Sequence, residues 1–218
     1  MSYFTGVELL PDDPILQLPI LFAADPRQKK VNLGIGAYKD NDGKSVILSC
    51  VQKAEKIVFE KKLNKDYLPI EGDPAFLQES LKVVFGNPPK NVFAIQTVGG
   101  TSALRLGSEF FAKNGITEIF VSDPSWPNHH LIFKHAGMHY HHYPYYDQQR
   151  HDFAFLEMCR SIEQMPARSV IVLHASCHNP TGIDPTKAQW HALSDLIKKT
   201  KAHSFLRFGI SRIWSRND

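Results

Sequence analysis

Asn179 is the residue of this chain best suited to chemistry. It sits in His174-Ala175-Ser176-Cys177-His178-Asn179-Pro180-Thr181-Gly182-Ile183-Asp184-Pro185. Its amide both donates and accepts hydrogen bonds and carries no charge. The apolar run Val170-Ile171-Val172-Leu173 before it has strand length, and Thr186 to Thr200 after it reads as a helix. Pro180 biases Asn179 towards extended geometry. A polar loop at the carboxyl end of a strand is where α/β sheets hold ligands. An ordinary turn that breaks a strand accounts for the same residues equally well.

Two other strand-to-helix junctions carry usable groups. Gly99-Gly100-Thr101 opens a helix, where free N–H groups and a hydroxyl could meet a phosphate, or where glycines simply make a tight turn. Ser125-Trp126-Pro127-Asn128-His129 places an indole that could stack on an aromatic ligand or pack a helix onto the sheet. Tyr67, beside Leu68-Pro69, could aim a phenol at a phosphate or cap the surface. His174 and His178 straddle a strand end and a loop, so they lack the one-face spacing of a helical zinc pair. His139, His141 and His142 read as a solvated strand face.

The elements positioning these loops alternate. Helices are expected over 15–24 (Pro14 at its first turn), 49–61, 74–85 (capped by Asp73), from Gly100 to near Gly115, 127–136, 153–164 and 186–200. Strands are expected over 31–36, 92–96, 118–121, 138–143 and 169–173. Such alternation implies βαβ units and a mostly parallel sheet flanked by helices. The chain has 218 residues, 43% hydrophobic and 22% charged, as in a soluble globular protein. A formal charge of +3 without basic runs offers no argument for nucleic acid or membrane as partner. Cys50, Cys159 and Cys177 form no disulfide framework or metal pattern, and no signal-type segment is present, so a cytoplasmic protein is expected.

Together the loops resemble the fold-type-I pyridoxal-phosphate enzymes, most closely the class I aspartate aminotransferases. The resemblance runs through Asp13-Pro14-Ile15-Leu16, Val31-Asn32-Leu33-Gly34-Ile35-Gly36-Ala37-Tyr38, Gly99 to Arg105, Pro124 to His129 and Cys177 to Pro185, in order. Asp123 stands where the family often has Asn. The resemblance implies that Gly100 and Thr101 bind the phosphate of pyridoxal 5'-phosphate and that Trp126 stacks on its ring. Asn179 would meet the phenolic oxygen, His174 would lie behind the ring nitrogen, and His129 further out. Gly36, Trp126 and Asn179 would contact an amino acid or 2-oxo acid. Tyr67 would reach a partner's cofactor across a homodimer interface. Expected segments are an N-terminal arm and small-domain piece over 1–44, part of the large pyridoxal-phosphate domain over 45–200, and an aberrant tail over 201–218.

The family's Schiff-base lysine, the acid that keeps the ring nitrogen protonated and the substrate-gripping arginines all come after the Asn-Pro-Thr-Gly loop. No lysine here occupies the matching motif, so no catalytic residue is assigned and transamination by this chain is not expected. Residues 202–215 permit codons that, read one nucleotide later, spell Leu-Ile-Pro-Phe-Phe-Asp-Leu-Ala-Tyr-Gln-Gly-Phe-Gly, the family's next segment. The aspartate codon would straddle Arg207 and Phe208. A frameshift near Lys201 is the hypothesis, and a coding sequence without that aspartate codon would sink it. Expected functions are thus an aspartate aminotransferase represented by its N-terminal half, an aromatic or broad-specificity aminotransferase, or a non-catalytic fragment dimerising with a full-length relative.

Overall fold

The computed structural model describes residues 5–6, 14–32, 34, 36 and 38–208. Most of the expected N-terminal arm, Leu33, Ile35 and Ala37, and the tail beyond Phe208 lie outside the described residues. By packing, the chain divides into residues 1–67 and 68–218.

The first unit holds helices α1 (Pro14–Ala24) and α2 (Ser49–Lys61). Lys30 Nζ donates to the carbonyls of Phe22 and Asp25, both at 2.6 Å, and so satisfies oxygens left open near the end of α1. Residues 40–43 form a turn. Asp40 Oδ1 accepts from the Asp42 and Lys44 amides at 3.0 and 2.8 Å, and Gly43 supplies a φ of 78°. The strand expected over 31–36 is not formed by its described residues. Asn32 Oδ1 instead accepts from the Gly34 amide at 2.9 Å, a local bond that turns the backbone away from an extended ladder.

The second unit opens with α3 (Pro74–Phe85), whose N-cap Asp73 accepts from the Phe76 amide at 2.8 Å. The strand expected over 92–96 is absent. Its one ladder-like bond runs from the Gln96 amide to the Glu71 carbonyl at 2.7 Å, and Phe93 remains exposed. Without a neighbouring strand, alternation alone cannot make a ladder.

The remaining elements are α4 (Gly100–Lys113), β1 (Glu118–Asp123), α5 (Asn128–His135), β2 (His139–Pro144), β3 (Tyr146–Asp147), β4 (Asp152–Phe153), α6 (Phe155–Glu163), β5 (Val170–Ser176), α7 (Lys187–Thr200) and β6 (His203–Phe208). Strands β2-β1-β5-β6 form a sheet whose pairings are all parallel, and β3 and β4 form a small antiparallel hairpin. Alternation then sorts side chains by face. Val170 and Val172 of β5 meet Ile119 and Val121 of β1 in one core with Leu104 of α4 and Phe133 of α5. Ile171 and Leu173 join Met158 and Ile162 of α6 and Leu193 and Ile197 of α7 in the other. A strand covered on both faces reads as an unbroken apolar run, which is why Val170 to Leu173 shows no alternation.

Candidate functional site

The connection from β1 leads to β2 on one side, and that from β5 leads to β6 on the other. The crevice between the carboxyl ends of β1 and β5 is therefore a switch point, where the loops diverge and leave room for a ligand. The loop after β1 carries Ser125 and Trp126, and the loop after β5 carries His178 and Asn179. His174 lies on β5 with the parity of Val170 and Val172, so its ring faces the α4 and α5 layer.

Three imidazoles form the floor. His129 Nδ1 and the Ser125 hydroxyl are 2.9 Å apart, and that hydroxyl lies 3.5 Å from His174 Nε2. The Asn179 amide donates to His174 Nδ1 at 3.1 Å, which makes Nδ1 an acceptor and leaves the proton on Nε2. His178 bridges layers: Nε2 lies 2.8 Å from Ser122 Oγ on β1, and Nδ1 lies 2.9 Å from Thr181 Oγ1. Its ring stacks on Tyr145 at 3.6 Å and on His174 at 4.4 Å between centroids. Asp184 ties the loop down by accepting the Cys177 and His178 amides at 2.6 and 2.9 Å.

The floor is uncharged. Burial first, then the charges of His174 and Arg207, holds His129 down to about 3. Burial, then His178 and Arg207, holds His174 to about 3. Burial, then His129 and Arg207, holds His178 to about 4. Desolvating three imidazoles together makes each added proton costly, so near neutrality all three are neutral. His129 Nε2 is buried without a hydrogen-bond partner.

Trp126 is half-buried, packed against the Leu104 and Phe133 core, with the His129 ring edge-on to it at 5.3 Å. Asn179 is also half-buried, and its hydrogen bond to His174 comes from the backbone N–H. Gly99, Gly100 and Thr101 are exposed at the start of α4, and a Cβ at either glycine would meet nothing within 4 Å. Gly36 and Tyr67 belong to the first unit, and both are exposed there. His139 Nδ1 and His141 Nε2 on β2 each lie 2.6 Å from one oxygen of Glu118, on the exposed sheet edge away from this crevice.

Sequence reasoning did not single out Ser122, Tyr145, Thr181, Asp184 or Arg207. Ser122 and Tyr145 are read only once β1, β2 and the β5 loop are known to converge. Arg207 is placed by the sheet. It pairs in register with His174, and His203, Phe205 and Arg207 share the face of β6 turned to α4. Phe111 lies 5.7 Å from Phe205 between centroids, and a Cβ on Gly107 would come within 2.6 Å of that ring. The Arg207 Cζ lies 4.9 Å from the centre of the Trp126 ring. Among the described residues no carboxylate pairs with it.

The family described as aminotransferase class I and II matches residues 28–206. The aspartate aminotransferase of Salmonella typhi is 43% identical over 199 residues, covering 88% of this chain and 50% of that protein. The chain thus spans about half the length of this curated relative. The aromatic amino acid aminotransferase of Burkholderia cenocepacia superposes with a TM-score of 0.90 at 37% identity, covering 95% of this chain and 54% of the other. The aromatic-amino-acid aminotransferase of Burkholderia pseudomallei, covalently bound to pyridoxal phosphate, gives 0.89 at 40% identity, covering 96% and 54%.

Proposed function

The chain belongs to the class I and II aminotransferases, and from that premise we propose that it carries one side of the pyridoxal-phosphate pocket of an aspartate-type enzyme. The observation that carries the reading is that Trp126, three neutral histidines and the backbone N–H of Asn179 come together at the carboxyl ends of β1 and β5. In this reading Gly100 and Thr101 hold a phosphate, Trp126 offers a flat apolar face, and Asn179 presents its amide to a ring oxygen and a substrate carboxylate. His174 and His129 keep the neighbouring polar atoms oriented. Gly36 would contact substrate and Tyr67 would serve a partner's site in a homodimer of the complete protein.

The cofactor test on these residues splits. The open surroundings of Gly99 and Gly100 suit a phosphate, because a ligand can reach the helix amides there. The Asn179 amide suits a polar ring edge. The face of Trp126 does not suit a ring, since the Arg207 guanidinium lies over it. Among the described residues no lysine hydrogen-bonds or ion-pairs with Trp126, His174 or Asn179. We propose that these 218 residues alone do not transaminate, because none of their lysines stands in the motif that carries the family's Schiff-base lysine.

The test is to add pyridoxal phosphate to the purified chain, reduce with borohydride and map the adducts. Scattered substoichiometric labelling is expected, with no aspartate to 2-oxoglutarate transfer. A stoichiometric adduct at one lysine together with turnover would overturn the assignment. Aromatic substrates provide the second arm, because the solved relatives include aromatic amino acid aminotransferases.

A further inference from the structure

Resting on the reading of Trp126 as a ring platform, we infer that Arg207 is a built-in plug of that platform. The chain in this form excludes a flat aromatic phosphate from Trp126 until the arginine is displaced. Trp126 packs against the core formed by Leu104, Val121 and Phe133, which commits part of the indole to the protein. The guanidinium covers the ring with its Cζ 4.9 Å from the centroid. An aromatic ligand stacked on an indole places its centroid about 4.5–7 Å away, the same zone, so ligand ring and guanidinium compete for one volume.

The sheet fixes the backbone that carries the arginine. Its register partner is His174, whose ring lies 5.3 Å from His129, and Phe205 two residues earlier is clamped against Phe111 and Gly107 of α4. Among the described residues it has no carboxylate partner, and burial works against its charge. The surrounding imidazoles are neutral and offer little competing repulsion. The indole face is thus the main electrostatic compensation within reach, since a cation is drawn to the negative face of a π system.

Calorimetric titration with pyridoxine 5'-phosphate tests the plug, because this probe lacks the aldehyde and cannot react with surface lysines. Arg207→Ala should bind it about tenfold or more tightly than the unaltered chain, the loss of one competing cation–π contact. Equal affinity in the two proteins, whether measurable or absent, overturns the inference. If Arg207→Ala does not fold, Arg207→Gln takes its place in the same comparison. Independently, the Arg207 Nε–H resonance should be shifted upfield by the indole ring current and return in Trp126→Leu; an unshifted resonance overturns the inference as well. Placing Gly100→Glu in the Arg207→Ala background separates the two levels. Loss of the gained binding supports both the plug and the phosphate cradle, whereas persistence supports the plug and removes the cradle from the reading.

Discussion

His178 shows how one side chain can organise a pocket without being its chemical agent. Its two ring nitrogens join the Ser122 and Thr181 hydroxyls, and its ring lies between Tyr145 and His174. His178→Ala would leave two hydroxyls without that partner and open a cavity beneath the loop. The expected cost is about 2–4 kcal/mol. Urea unfolding of the two proteins checks it, and a midpoint shift worth less than about 1 kcal/mol would contradict the bridging role. Asn179 is coupled to the same device, because its amide is held by His174.

At the scale of elements, two contacts decide how the loops are aimed. Helix α7 begins in a capping box, in which Thr186 accepts from the Gln189 amide at 3.3 Å and the Gln189 side chain accepts from the Thr186 amide at 2.8 Å. Thr186→Ala should cost about 1 kcal/mol, read as a lower melting temperature. The second contact is that of α4 with β6. At Gly107 an alanine would gain about 1 kcal/mol of helix propensity but drive its methyl into Phe205. Overpacking costs about 1–3 kcal/mol, so we expect net destabilisation of Gly107→Ala, relieved when Phe205→Leu is added. A double-mutant cycle showing no coupling would place α4 elsewhere.

For the whole molecule, the three buried imidazoles predict an acid-sensitive fold. Their folded values, about 3 for His129, about 3 for His174 and about 4 for His178, lie below the ordinary value of 6.5. Below 6.5 the unfolded chain takes up protons that the folded chain refuses, so stability is fully present above that pH and is lost as pH falls towards 4. Each ring contributes up to about 1.4 kcal/mol per pH unit in that window. Denaturant midpoints at pH 7.5, 6.0 and 5.0 measure this, and a flat profile would mean that the rings are solvated. No helix among the described residues is long and apolar enough to cross a membrane.

The amino-acid sequence by itself determined whatever depends on neighbours along the chain. Pro14 and Asp73 started their helices, Thr186 capped α7, and the apolar run Val170 to Leu173 became a central strand. The loop motifs also mark Trp126, His174 and Asn179, and the structure brings those three together at the carboxyl ends of β1 and β5. Local pattern failed at the described residues of 31–36 and at 92–96, because a strand exists only if another strand lies beside it, and pairing is non-local. Strand β6 is the reverse case: residues expected as part of an aberrant tail keep an alternation that α4 and α7 can cover, and 203–208 extend the sheet. Only the tertiary structure decided that His178 bridges two layers and that Arg207 lies over Trp126. Those contacts join residues 56 and 81 positions apart, and the parallel sheet that brings them together has no signature at such separations in the sequence.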